Sequence, residues 1–201
     1  MEARNATSGG RSPLVEEALA LARSAHEGQL RETDRAPYLE HPVDVASLVA
    51  DAGLSEEAVA AGLLHDVVED TEVRLEDISR RFGQAVADLV AAMTEDEAIA
   101  DYEERKDAHR RRIAAAGPRA ATLFVADKLA NARDLRRLLE REGSDALARS
   151  AHPIEAKHRH YRRTLELFES STPNLPLLGE LRTELDRLGM ALERSGVSPG
   201  R

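Results

Sequence analysis

The stretch Ala61-Gly-Leu-Leu-His-Asp-Val-Val-Glu-Asp-Thr71 constrains this chain more than any other. Its opening is apolar all round, as in a helix that enters a core. Its end places a histidine and three carboxylates within the short run His65–Asp70. On a helix turning roughly 100° per residue, His65, Glu69, Asp66 and Asp70 fall within an arc of about 140°, with Leu64, Val67 and Val68 opposite. Gly62 lies in the same arc one turn earlier, where the missing side chain is expected to leave room for a ligand. Acidic faces are commonly no more than solvated surface. Here, however, like charges at i, i+3 and i+4 repel one another with no Lys or Arg inside the run. A carboxylate cluster at the mouth of a core needs a compensating charge, and a metal ion supplies one.

The chain has no cysteine in its 201 residues, so any metal must be held by His, Asp and Glu. Such a set suits Mn²⁺, Mg²⁺, Fe²⁺ or Zn²⁺ in a mixed nitrogen and oxygen site. The length fits one domain, or one with a helical appendage. Hydrophobic residues make up 42% of the chain and aromatics 3%, so Leu, Val and Ala must build the core. A formal net charge of −9 argues against a nucleic-acid binder, while a local basic pocket can still hold a small anion. No stretch approaches the ~20 apolar residues of a membrane span. Residues 1–11 are small and polar with no apolar signal segment, and are expected to be a disordered leader on a cytoplasmic protein.

The periodicity predicts an all-α architecture. Helices are expected over 14–27 (capped by Ser12-Pro13), 42–52, continuously over 56–70, and over 75–82 and 84–93. One charged, solvated helix is expected across 94–116, then helices over 120–141 and 146–168, the last interrupted at Pro153. Residues 12–170 read as the main domain. Residues 171–201 read as a linker and a final helix, with Leu178, Leu181, Leu185, Leu188 and Leu192 at coiled-coil spacing. That seam suits docking on its own domain or on a second copy of the chain.

Two further elements supply polar groups. Pro37 and Pro42 shape the loop after Gly28, which places His41 in an extended conformation at the cap of a helix starting at Pro42. The short connection to the next helix brings His41 and His65 to neighbouring ends of an antiparallel pair. Arg31 and Arg35 in this loop are the nearest cations for an anionic ligand. Farther on, Asp127, Asn131 and Asp134 form one stripe on a helix that opens with the apolar run Thr122–Ala126. Asp127 emerges from a buried segment, so it needs either a metal or an arginine partner. His26 reads as structural. His158 and His160 fall on different faces and are expected at the surface.

The order His41…His65-Asp66…Asp127 resembles the ligand signature of the HD superfamily of metal-dependent phosphohydrolases. Ala25-His-Glu-Gly-Gln-Leu-Arg31, Pro37-Tyr-Leu-Glu-His-Pro42, Leu63-Leu-His-Asp-Val-Val-Glu-Asp-Thr71, Asp77-Ile with Phe82-Gly83, and Ala126-Asp-Lys-Leu-Ala-Asn-Ala-Arg133 are similar, in this order, to the hydrolase domain of RelA/SpoT homologues. The resemblance spans about residues 14–165 and implies an HD-domain helical bundle of the single-domain, small alarmone hydrolase type. It implies removal of pyrophosphate from the ribose 3′ position of guanosine tetra- and pentaphosphate, typically with Mn²⁺. By the same resemblance, His41, His65, Asp66 and Asp127 would hold the metal. Glu69 and Asp70 would orient and deprotonate a water. Arg31 would lie against the purine base, and Lys128, Asn131 and Tyr161 would contact substrate.

Two positions depart from the family pattern, Glu32 where Lys is common and Ala130 where an aromatic or His is common, and both are expected on the substrate side. Another phosphorylated nucleotide, such as NADPH or an adenine alarmone, is therefore the alternative substrate. A non-catalytic nucleotide-binding protein is a third reading, against which the retained Glu69-Asp70 pair counts.

Overall fold

The computed structural model describes residues 12–31, 34–148 and 153–197. The expected leader over 1–11 and Glu32 lie outside these residues. The described chain folds as α1 (Pro13–Ala25), α2 (Glu40–Asp51), α3 (Glu56–Leu64), α4 (Val67–Asp70), α5 (Leu75–Phe82), α6 (Gln84–Met93), α7 (Tyr102–Ala116), α8 (Pro118–Glu142), a 3₁₀ turn (Gly143–Ala148), α9 (Ile154–Ser171) and α10 (Leu178–Arg194). The described residues contain no β-strand, only an isolated bridge between Leu30 and Pro37 that closes the loop before α2. The all-α reading holds.

Local chemistry accounts for the boundaries. Ser12 accepts a hydrogen bond from the Val15 amide at 3.4 Å, and Pro13 opens α1 where a missing amide proton costs nothing. α2 begins at Glu40, two residues earlier than expected, so His41 is in its first turn rather than extended at its cap. In a first turn Pro42 has no ladder bond to forfeit. The turn is instead started by the His41 amide donating to the Tyr38 carbonyl at 3.0 Å.

The 25-residue α8 is the hub, in contact with α2, α3, α6, α7, α9 and α10. Its first half is buried on every side from Ala120 to Ala130, which is why polar groups there must find partners. α3 runs beside it with Ala58, Ala60, Ala61, Gly62, Leu63 and Leu64 all buried. Gly62 serves packing rather than a ligand. A Cβ there would lie 3.1 Å from the Ala46 Cα and 3.3 Å from its amide nitrogen, so the glycine lets α2 and α3 close on each other.

The expected continuous helix 56–70 is broken. α3 stops at Leu64, and Asp66 sits at φ −98°, ψ −9° before the single turn of α4. His65 Nδ1–H donates to the Gly62 carbonyl at 2.9 Å, satisfying a last-turn carbonyl from the side chain and ending the ladder there.

Three other expectations are corrected. Residues 95–101 are turns and loop, and only from Tyr102 does a helix form, capped by Asp101, which accepts from the Glu104 amide at 2.8 Å. That helix, α7, is not simply solvated, because His109, Arg110 and Ile113 are buried. His158 and His160 are also buried, since α9 lies between α8, α7 and α10. His158 Nε2 meets the Leu185 carbonyl at 3.0 Å, and Arg110 hydrogen-bonds to His160 Nδ1. The leucine seam of α10 docks on α8 and α9 of its own chain, and Arg136 of α8 reaches the buried Glu184 at 2.5 Å.

Replacing Gly62 by Val should test the α2–α3 approach. The added isopropyl group presses its Cβ on the backbone of Ala46, and overpacking of this kind costs about 2–3 kcal/mol. The expected result is a lower urea midpoint with an unchanged m-value. Wild-type stability would show that α2 moves away freely.

Candidate metal centre

Three helices converge on one point. His41 comes from the first turn of α2, His65 from the break after α3, and Asp127 from the buried half of α8. One ligand atom from each lies within 4.8 Å of the others, and all three residues are buried. His41 Nε2 is 3.2 Å and His65 Nε2 3.8 Å from Asp127 Oδ1. The two imidazole centroids are 5.3 Å apart.

The donor chemistry fits a divalent cation. The bond from His65 Nδ1 to Gly62 places the proton on that nitrogen and leaves the Nε2 lone pair pointing inward. Nε2 is buried with no hydrogen-bond partner, although Asp66 Oδ1 lies 3.2 Å away. Acceptors then face acceptors across a small gap, which a cation resolves. In the metal-free protein a proton does so instead. Burial alone would lower the His65 pKa, but Asp66 and Asp127 raise it to about 9.

Asp127 is the pivot. Burial would raise its pKa, but Lys128 and the two histidines hold it well below the carboxylate range. Lys128 Nζ is 2.5 Å from Asp127 Oδ2, and the Asn131 side chain donates to Oδ1 at 2.5 Å. The Lys128 ammonium also lies 4.4 Å from the Phe124 ring centroid and 5.9 Å from that of Tyr161. Asp127 thus has lysine, amide and imidazole partners together, rather than the arginine that was its alternative.

Asp66 lies beside this trio, not within it. Its Oδ2 accepts from the Tyr38 hydroxyl at 2.8 Å and is 3.7 Å from His41 Nε2. Glu69 and Asp70 stand at the mouth, still reached by solvent. The surrounding walls nevertheless remove enough water to raise both pKa values, that of Glu69 to about 7. Glu69 also accepts a hydrogen bond from the Glu95 amide.

The ten residues to which the resemblance gives a role line one cavity of about 400 Å³: His41, His65, Asp66, Glu69, Asp70, Asp127, Lys128, Asn131, Tyr161 and Arg31. Arg31 is pinned at the wall, its Nε 3.1 Å from Asp34 Oδ1 and its Nη1 2.6 Å from Asp134 Oδ2. Arg35, its neighbour in the loop, is exposed and absent from the lining. Ala130 is also absent. It faces a separate cleft with Asp44, Ser47 and Leu48 of α2, so this departure from the family pattern does not touch the cavity.

The cavity holds residues that the sequence reading missed. Tyr38 was visible only as part of the Pro37–Pro42 motif, one turn before His41. Glu95 was hidden in an acidic run. Its carboxylate is 3.1 Å from Arg105 Nε and 3.5 Å from His109 Nδ1, and it also pairs with Lys106. These partners come from the run read as solvated.

A helical bundle with a His, His, Asp cluster at its centre is the architecture of an HD domain, and residues 18–157 match the HD-domain family. The chain belongs to that family. It is 36% identical to a Streptomyces coelicolor GTP pyrophosphokinase over 73% of this chain and 17% of the relative. It is 33% identical to a Vibrio cholerae guanosine-3′,5′-bis(diphosphate) 3′-pyrophosphohydrolase over 87% of this chain and 23% of the relative. The chain thus spans about a fifth of the length of these curated relatives. Among solved structures, a metazoan ortholog of SpoT described as hydrolysing ppGpp superposes with a TM-score of 0.70. That match has 26% identity and covers 91% of this chain and 97% of that one. A Listeria monocytogenes EGD-e protein superposes with a TM-score of 0.66 at 33% identity, covering 73% of this chain and 96% of that one.

Lys128 is the buried cation among Asp66, Glu95 and Asp127, so Lys128→Met should destabilise the protein in chelator-containing buffer. Removing one partner of a buried ion pair costs about 3–5 kcal/mol. Urea denaturation with wild-type stability would mean that Asp127 is held by Asn131 and the histidines alone.

Proposed function

We propose that this protein is a metal-dependent hydrolase of guanosine 3′,5′-bis(diphosphate) and related alarmones, releasing pyrophosphate from the ribose 3′ position. The observation that carries this reading is the buried His41–His65–Asp127 cluster sharing one cavity with Glu69 and Asp70. The activity named for the Vibrio cholerae relative supports the substrate. So does that of the metazoan structural neighbour, whose whole length the chain nearly covers.

His41, His65, Asp66 and Asp127 would hold Mn²⁺, whose mixed nitrogen and oxygen preference suits them. When bound, the cation supplies acidification of water and polarisation of a phosphoryl oxygen. The chain's own groups do the rest. Glu69, with a pKa near neutrality, takes a proton from the attacking water, and Asp70 beside it holds that water's orientation. The water oxygen bonds to the phosphorus nearest the ribose, the bond from that phosphorus to the 3′ oxygen breaks, and the 3′ oxygen leaves as a hydroxyl after taking up a proton. Lys128 and Asn131 line the phosphate side. Arg31 has its edge held by Asp34 and Asp134, which leaves its flat face for the purine. Tyr161 closes the wall behind Lys128.

The direct test is Mn²⁺-dependent turnover by the purified protein of guanosine tetraphosphate, guanosine pentaphosphate and NADPH in parallel. Pyrophosphate release from the guanosine compounds is expected. Exclusive turnover of NADPH would move the substrate assignment.

Replacing Glu69 by Gln and Asp70 by Asn together keeps size and removes charge. Fold and metal content should survive, measured by circular dichroism and elemental analysis, while kcat falls about 10²–10⁴-fold. Near-full activity would reduce the pair to a solvated acidic face, and loss of metal would make them direct ligands.

Arg31→Ala should raise KM with a smaller change in kcat, the pattern of lost ground-state binding. A large kcat loss at unchanged KM would give Arg31 a transition-state role instead.

A further inference from the structure

Tyr38 lines the cavity, yet the hydrolytic reading gives it no task. It is fixed from three sides. Its ring stacks on His26 with centroids 4.6 Å apart and planes inclined at 29°, and His26 Nδ1 is in turn 2.7 Å from the Gln29 side-chain oxygen. Its amide donates to the Gln29 carbonyl at 3.0 Å, and its own carbonyl receives the His41 amide at 3.0 Å. A ring held this firmly aims its hydroxyl along one direction, and that direction is Asp66 Oδ2, 2.8 Å away. Asp70 is a second carboxylate lining the same cavity as this phenol. A carboxylate oxygen accepts, so the phenol is the donor of the bond to Asp66.

Asp66 needs such a partner. It stands at the break after α3 and is not part of the compact His41–His65–Asp127 group. Its two oxygens differ in surroundings. Oδ2 takes the phenol, while Oδ1 lies 3.2 Å from His65 Nε2, on the side of the inward-pointing imidazole lone pair. A carboxylate with no donor on one oxygen rotates about its last torsion, which is broad and roughly two-fold. A hydrogen bond to one oxygen selects a single orientation and leaves the other oxygen as a single ligand atom.

We infer that Tyr38 is a positioning residue for the metal centre: its hydroxyl occupies Asp66 Oδ2 and so presents Oδ1 to a cation held by His41, His65 and Asp127. The inference rests on the metal-dependent reading proposed above. It joins the substrate-side loop to the metal side, because the segment that carries Arg31 also carries the donor that orients Asp66.

The test is a double-mutant cycle read by Mn²⁺ binding, followed through the free Mn²⁺ signal in electron paramagnetic resonance, with no substrate present. Tyr38→Phe keeps the ring and its stack on His26, so thermal stability in chelator should match wild type. Mn²⁺ affinity should fall about 10–100-fold, the usual effect of removing a partner that orients a metal ligand. In an Asp66→Ala background, the same Tyr38→Phe change should have no further effect, since the two act as one unit. Wild-type Mn²⁺ affinity in Tyr38→Phe, or equal losses in both backgrounds, would overturn the inference. So would a wild-type protein that binds no Mn²⁺, and that result would remove the metal reading with it. A protein that follows the cycle but turns over no guanosine alarmone would leave Tyr38 in place and sink only the substrate assignment.

Discussion

Asp127 is a carboxylate in the middle of the longest helix, with its side chain 7% exposed, and the rest of the structure is arranged to tolerate it. An isolated buried carboxylate would neutralise itself by taking a proton. Here Lys128, itself buried, sits 2.5 Å away, Asn131 donates to the other oxygen, and two imidazoles approach from other helices. Burial also works against keeping Lys128 charged, and Asp127 is what holds its pKa up. Each charge is the reason the other can remain. The pair still leaves negative charge in excess, because Asp66, Glu69 and Asp70 line the same cavity. A divalent cation is the simplest agent that balances them.

The bundle supplies the rigidity this arrangement needs. α8 carries Asp127, Lys128 and Asn131 on one face, and is covered on its others by α2, α3, α6, α7, α9 and α10. α10 contributes from a distance. Leu181, Leu185 and Leu188 are fully buried, and Glu184 anchors Arg136, so the half of α8 beyond the site cannot shift freely. Gly62 acts from the other side, since without its close approach to Ala46 the two histidine-bearing helices would stand farther apart. Positions with no chemistry of their own thereby decide the spacing of those that have it.

Much of this was readable in the sequence, for physical reasons that differ by level. Helix positions follow from apolar period and capping chemistry, and Ser12 and Pro13 open α1 as such residues should. The polar residues within buried helices were conspicuous because burial makes them costly, which is how His65 and Asp127 announced themselves. What the sequence hid was contact between distant segments. Nothing local to Gly62 says whether its missing side chain makes room for a ligand or for a helix. His158 and His160 lie on different faces of α9, which reads as a surface pair until α10, α7 and α8 close over both faces. The basic run of α7 reads as solvated because its partner, Glu95, is supplied by the loop before it. The break at His65 depends on one side chain choosing a backbone carbonyl, which periodicity cannot anticipate.

The cavity is thus built from two kinds of element, and the difference bears on how its chemistry can vary. The metal side comes from helix interiors and the break between α3 and α4, where a change of side chain disturbs packing as well as ligation. The wall that carries Arg31 comes from residues 28–31 and 34–39, which are held by a few backbone hydrogen bonds and by Arg31 gripping Asp34 and Asp134. Replacements there cost little core energy, so under the proposed function the identity of the nucleotide could change while the cluster of His41, His65 and Asp127 stays. Ala130 illustrates the complementary case. It sits on the same helix as the site but faces α2, so its departure from the family pattern alters a packing surface and leaves the cavity wall untouched. Whether a substitution on α8 reaches the substrate therefore depends on the face it occupies, and distance along the sequence from Asp127 does not decide it.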